Sequence, residues 1–207
     1  MWLSILAAVL VGYMLGNLNG SVCVSALMHD DVRSHGSGNA GLTNFIRNYG
    51  AGRSFLVILI DAGKAVLACI NGRLLLQHYG LPLEGAVIAG VALMLGHDFP
   101  AFLGFKGGKG ILSGLFIALM TDWRIALVIL VAFAVVYLFT QYVSLGSVMA
   151  AIAFGVCFAV LHNDNLTVLL CGVFMAALTI FMHRTNIARL IKGEESRTNL
   201  FGKGERK

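Results

Sequence analysis

Seven apolar runs follow one another along the chain, at roughly 2–27, 55–76, 85–103, 111–120, 125–140, 143–161 and 166–182. Nothing else in the sequence limits the fold so strongly. A bilayer interior offers no water to backbone N–H and C=O groups, so only helices or closed barrels cross it. A barrel needs short segments of alternating polarity, and these runs are continuous. The expected fold is therefore all-α: a polytopic integral membrane protein with seven transmembrane helices. The fourth run falls short of the ~20 residues that a full span wants. It either borrows length from residues 107–110 or spans only part of the bilayer. Composition agrees. The 207 residues are 58% hydrophobic and 12% charged, with mean hydropathy +0.84. That charged fraction is about half that of a soluble domain, and it excludes a disordered chain. One domain is expected at 1–192, followed by a charged cytoplasmic tail at 193–207. Residues 1–12 lack the basic start of a secretory leader, so the first run reads as a retained span.

Charge sets the orientation. With the amino terminus outside, the inward segments carry Arg33, Arg47, Arg53, Lys106, Lys109, Arg184, Arg189, Lys192, Arg197, Lys203, Arg206 and Lys207. The outward loops carry only Arg73 and Arg124. Cytoplasmic loops collect Lys and Arg, so the carboxyl terminus is expected inside. Nucleic acid is excluded as a partner, because the basic residues are not interleaved with aromatics on a soluble fold. The tail is expected to lie on anionic headgroups.

Within the spans, Gly12, Gly16 and Gly20 stand four apart and are read as a close-packing stripe. Asn17, Asn19 and Ser21 interrupt the apolar pattern near its inner end. Asp61 and Lys64 lie inside the second run, three residues apart, and are read as a structural pair, since unpaired charges there are costly. The four cysteines, Cys23, Cys69, Cys157 and Cys171, have no CxxC spacing. They read as buried hydrophobes rather than as a disulfide or metal site.

Three inward segments carry chemistry. The first is Gly36-Ser37-Gly38-Asn39 with Thr43, Asn44 and Arg47. Glycines beside Ser and Asn allow successive N–H groups to converge on an anion. Thr43 or Asn44 is placed to cap a short helix, and Arg47 to grip phosphate. Ser37 is read as a phosphate-binding hydroxyl with its own N–H as a second donor. The second is Gly96-His97-Asp98-Phe99-Pro100 followed by Phe105-Lys106-Gly107-Gly108-Lys109-Gly110. Two lysines around Gly-Gly suggest another anion cradle, though not a Walker A loop. The third is His183-Arg184-Thr185-Asn186-Ile187-Ala188-Arg189, then Gly193-Glu194-Glu195. His183 and Asn186 share a helix face. Ser144 sits at the inner start of the sixth run. Together these segments suggest an anionic ligand at one membrane face.

These segments resemble the acyl-phosphate-dependent glycerol-3-phosphate acyltransferases, the PlsY family of bacterial membranes. The likeness spans most of the chain and includes Leu95-Gly96-His97, His183-Arg184, Asn186-Ile187, Asp61 with Lys64, and Tyr142 to Leu145. It implies transfer of a fatty acyl group from acyl phosphate to the 1-hydroxyl of glycerol 3-phosphate. The products would be 1-acylglycerol 3-phosphate and phosphate, in phospholipid biosynthesis. It implies the bacterial plasma membrane, a cytoplasmic active site, no cofactor and no metal, and functional coupling to an enzyme that makes acyl phosphate. By motif match the catalytic set is Ser37, Arg47, Lys106, His183 and Asn186. Substrate contacts are expected from Gly36, Gly38, Asn39, Thr43, Asn44, His97, Gly107, Gly108, Lys109 and Ser144. The chain departs from the family pattern at Asn19, where Pro is usual, at Leu42 and at Gln141. Two rival functions fit the sequence less well. Acyl-CoA-type acyltransferases use His-x4-Asp, and no histidine here has Asp five positions on. A transporter of an organic phosphate would show inverted repeats and a midplane site, whereas these motifs gather at one face.

Overall fold

The computed structural model describes residues 1–198; the rest of the expected tail lies outside the described residues. Every regular element among them is helical. The α-helices are α1 (Trp2–Gly16), α2 (Gly20–Ala26), α3 (Leu42–Tyr49), α4 (Ala51–Leu76), α5 (Pro82–Asp98), α6 (Ile111–Thr121), α7 (Trp123–Thr140), α8 (Val143–Leu161), α9 (Leu166–Met182) and α10 (Arg184–Ile191). Four segments are long and apolar enough to cross a bilayer: Ala51–Tyr79, Pro82–Leu103, Trp123–Thr140 and Val143–Leu161. The bent pairs α1–α2 (43°) and α9–α10 (55°) raise the number to six. Helix α6 is apolar, but its 11 residues reach only about 16 Å, against a hydrocarbon core of roughly 30 Å.

The breaks have local causes. The first apolar run, expected as one helix, divides at Asn17–Asn19. The Asn17 side chain donates back to Tyr13 O (2.8 Å). The Asn19 side chain accepts from Val22 N (3.1 Å) and so caps a new helix, α2. Helix α5 begins on Pro82, whose missing N–H costs nothing in a first turn. It stops ahead of Phe99-Pro100, because a residue before proline is steered out of the helical region. Asp122 caps α7 through Arg124 N (2.9 Å), and Asn165 caps α9 through Val168 N (3.2 Å).

Packing depends on small residues. Helices α1, α4 and α5 form the closest group. A side chain at Gly72 would strike the carbonyl of Gly85, and the reverse holds as well. Gly12 lies against Ala89, Gly16 against Leu93 and Gly96, and Gly20 against Val57. The four-residue stripe is thus a packing device, as its spacing suggested. The apolar core continues through Leu93, Met94, Ile117, Ile129, Phe154 and Met175. Large apolar side chains such as Leu59, Leu127, Phe139 and Val160 remain exposed on the bundle's outer surface, as a lipid-facing surface requires.

Polar residues collect at the two ends. At one end Met1 donates to Tyr79, Arg73 to Met120 O, and Asn165 to Glu84. At the other, the α1–α2 break, the loop from Ala26 to α3, residues 98–110, the α7–α8 joint and the chain after α9 come together. Tyr13 Oη donates to Phe99 O (2.9 Å) and Asn19 Nδ2 to Ala40 O (2.9 Å). Tyr137 Oη donates to Thr198 O (2.9 Å).

Candidate active site

The second end opens into a cavity of about 350 Å³. Its polar wall carries Ser37, Asn39, Thr43, Asn44, Arg47, His97, Lys109, Ser144, His183 and Asn186, all of them expected site residues. Gly36, Gly38, Lys106, Gly107 and Gly108 are not on that wall. The deeper wall is apolar, with Leu112, Leu115, Ile129, Leu130, Phe133, Phe154 and Met175. One space therefore has a cationic end and a hydrocarbon end.

The loop before α3 is not the open nest its glycines suggested. The Asn44 side chain, buried inside α3, organises it. Asn44 Nδ2 faces the carbonyls of Val32, His35 and Asn39 at 3.0–3.1 Å. Asn44 Oδ1 accepts from Ser37 N (3.0 Å). The Ser37 N–H is therefore already used, and only its hydroxyl remains for a ligand. Gly36 takes φ +57°, and a Cβ there would meet Asn44 Oδ1 at 2.5 Å. Helix α3 is capped by Gly41 rather than by Thr43 or Asn44. These glycines serve the loop's own fold.

The same correction applies to the second segment. Gly107 N donates to Asp98 O (3.2 Å) and Gly108 N to His97 O (3.0 Å). Both residues press so closely on His97 that a side chain at either would collide with it. Their N–H groups are spent within the turn. The two lysines part company. Lys109 turns inward, is largely buried, and donates to Asn186 Oδ1. Lys106 is exposed and lines a separate surface groove with Asp31, Arg33 and Ser34. The sequence expectation ranked Lys106 above Lys109; the structure places Lys109 at the cavity.

The third segment works through a kink. His183 ends α9 and begins α10. Its Nδ1 lies 2.8 Å from Thr179 O, which can only accept. Nδ1 therefore carries hydrogen, and Nε2 is the atom left for other work. Asn186 Nδ2 donates to Glu195 Oε1 (2.8 Å), and Arg189 Nε donates to Glu195 Oε2 (2.7 Å). Arg47 Nε donates to Thr198 Oγ1 (3.0 Å). The start of the expected tail, from Glu194 to Thr198, thus folds over the site rather than standing apart. Sequence reasoning gave Glu195 and Arg189 no role. Glu195 stands in a basic stretch, and that was the only signal.

Electrostatically this end is short of negative charge. Arg47, Lys109 and Arg189 line the cavity; of the two acids on its wall among the described residues, Asp61 is paired with Lys64, which leaves Glu195 to face them. Burial pushes the Glu195 carboxyl up, yet the bonds from Arg189 and Asn186 hold it below its ordinary value. Burial pushes the Lys109 ammonium down to about 8, with Arg189 and Arg47 adding to the shift and Glu195 opposing it. An incoming anion would relieve that repulsion.

Beneath this wall lies a second polar cluster. Lys64 Nζ contacts Asp61 Oδ1 (2.8 Å), Leu18 O (2.6 Å) and His97 Nδ1 (2.7 Å). Asp61 Oδ1 also accepts from Gly20 N (3.1 Å). The pair ties together the chain on both sides of the α1–α2 break, which accords with its structural reading.

Known proteins match this arrangement over nearly the whole chain. The family model described as glycerol-3-phosphate acyltransferase covers residues 6–193. A glycerol-3-phosphate acyltransferase of Thermoanaerobacter sp. (strain X514) is 34% identical, covering 91% of this chain and 92% of its own length. One from Prochlorococcus marinus (strain MIT 9312) is 38% identical, with coverage of 92% and 96%. The crystal structure of PlsY (YgiH), an integral membrane glycerol 3-phosphate acyltransferase, in its glycerol 3-phosphate form superposes with a TM-score of 0.86. It shares 32% identity and covers 96% of this chain and 100% of that one. Its lysophosphatidic acid form gives 0.83 at 32% identity, covering 95% and 96%. A cavity with a cationic mouth and a hydrocarbon floor, held in a fold shared from end to end, belongs with these proteins: the chain is a member of the PlsY family of glycerol-3-phosphate acyltransferases.

Proposed function

We propose that this glycerol-3-phosphate acyltransferase takes its acyl group from acyl phosphate and passes it directly to the 1-hydroxyl of glycerol 3-phosphate. The observation that carries the reading is the two-natured cavity. Both reactants are anionic at one end, and the donor is hydrocarbon at the other. Arg47 and Lys109 supply the positive charge that two phosphate groups need in order to approach. Ser37, Ser144 and Asn186 supply neutral polar contacts, and the apolar wall receives the chain. Membership of the family removes the transporter alternative.

In the proposed step the glycerol oxygen attacks the acyl carbon, the acyl–phosphate C–O bond breaks, and phosphate leaves. Acyl phosphate is already activated, so holding the partners in line is the main task. No acyl-enzyme is needed. A serine nucleophile requires an adjacent base oriented by a third group. Ser37 instead stands in a loop organised by Asn44, and its neighbour His35 is paired with Asp30 at 2.9 Å. We assign the hydroxyl proton to the substrate's own phosphate. His183, through Nε2, is the competing base and predicts loss of turnover as the imidazole becomes protonated. His97 is a poor base, because Nδ1 is occupied by Lys64 and Nε2 lies against Gly108.

The topology that fits this chemistry has seven crossings, with α1 and α2 forming one bent span and α6 a short one. The amino terminus is outside, and the site faces the cytoplasm of a bacterial plasma membrane. The split of basic residues supports it. A cytoplasmic site would draw its donor from an enzyme that makes acyl phosphate. The test is purified protein given glycerol 3-phosphate with either acyl phosphate or acyl-CoA. Lysophosphatidate and phosphate should form only with the first. Comparable turnover with acyl-CoA would overturn the donor assignment.

A further inference from the structure

The Asp61–Lys64 pair has a third member that a helix suture does not require. Lysine has three N–H donors. Two are used on Asp61 Oδ1 and Leu18 O, which join α4 to the α1–α2 break. The third goes to His97 Nδ1 at 2.7 Å, in preference to Gly16 O, which lies farther off at 3.5 Å. Accepting from an ammonium, Nδ1 carries the lone pair, so the hydrogen of the neutral ring sits on Nε2. That nitrogen faces Gly108, and the turn from Gly107 to Gly108 is also bonded to the backbone carbonyls of Asp98 and His97. The next residue is Lys109, which enters the cavity. His97 and Asp61 are themselves on the cavity wall.

We propose that Lys64 is a positioning residue for the reaction: through His97 it fixes the ring on which the Gly107–Gly108 turn rests, and so sets where Lys109 meets the substrate phosphate. This inference rests on the reading of Lys109 as a substrate-binding cation. Lys64 itself touches no substrate. The route is Lys64 to His97 Nδ1, His97 ring to Gly108, Gly108 to Lys109.

The test must separate this role from stitching helices together. Lys64→Ala alone would leave Asp61 unpaired, so the variant of choice is Asp61→Asn with Lys64→Met. Asn at 61 still accepts from Gly20 N–H. The double variant, checked for retained thermal stability in detergent, should raise KM for glycerol 3-phosphate by roughly tenfold and leave KM for acyl phosphate unchanged. Adding Lys109→Ala should then cost much less than it costs the parent, because the two changes act on one contact. His97→Asn gives an independent arm. It keeps an oxygen for Lys64 but removes the ring beneath Gly108, and it should reproduce the KM effect even if the double variant does not fold. The inference is overturned if the folded double variant or His97→Asn keeps a KM within twofold of the parent. It is overturned equally if the Lys109→Ala penalty is undiminished. Should Lys109→Ala in the parent leave KM unchanged, the fault lies with the reading of the cavity instead.

Discussion

Two clusters of charge sit at the same end of the bundle, and they are balanced in opposite ways. In the inner one, Lys64 faces Asp61, backbone carbonyls and a histidine nitrogen, and every ammonium N–H has a protein partner. In the outer one, among the described residues, Glu195 bonds to Arg189 and acts on Arg47 and Lys109 only through space. The inner cluster is complete without a ligand. The outer cluster holds cations in excess at the mouth of an apolar cavity. A charge answered by the protein stabilises the fold, whereas a charge left in surplus draws an anion. The number of lysines and arginines alone does not separate the two cases.

If that contrast is right, the clusters fail differently when disturbed. The largest effect should come from Lys64→Ala. It leaves Asp61 buried and unpaired, and removing one member of a buried pair costs roughly 3–5 kcal/mol. Thermal unfolding in detergent should show a large drop, with little folded protein recovered. A variant as stable as the parent would mean the inner cluster is not a structural element.

Arg47→Ala should do the reverse. Its thermal stability should stay close to the parent's, while kcat/KM for glycerol 3-phosphate falls about ten- to a hundredfold, the value of one charge-assisted contact. Near-normal kcat/KM in a folded protein would remove Arg47 from the phosphate site.

A smaller effect should appear with pH. Lys109 is pushed down to about 8. It carries its charge below that value and loses it as pH rises through it. The profile of kcat/KM, which reports the free enzyme, should therefore fall on the alkaline side with a midpoint near 8. In Lys109→Arg that limb should move up beyond the measurable range. An unchanged alkaline limb in that variant would assign the titration to another group.

The sequence exposed much of the fold, because lipid leaves few choices. Apolar length is a summed property, and it survives small errors at each position. Individual helix limits were less legible. The break at Asn17–Asn19 depends on two side-chain bonds inside an apolar stretch, and nothing in the average hydropathy marks it. At the site, most of the expected wall residues do meet around one cavity. What was misread is the work of the glycines. Gly36 and Gly107 looked like anion nests, yet they are glycine because Asn44 and His97 come too close for a side chain. A Gly-rich motif records close approach, and it does not name what approaches. The choice between Lys106 and Lys109 was equally hidden, since it turns on which way a tight turn faces. Glu195 was missed because its partners, Asn186 and Arg189, meet it only through the fold-back of the chain after α10.

That choice gives the most direct test of the account. Calorimetric titration of glycerol 3-phosphate into the purified, folded protein should be compared for the parent, Lys109→Ala and Lys106→Ala at pH 7. The cavity reading predicts at least about tenfold weaker binding for Lys109→Ala and a curve like the parent's for Lys106→Ala. The opposite pattern, with binding lost at Lys106 and kept at Lys109, would contradict it.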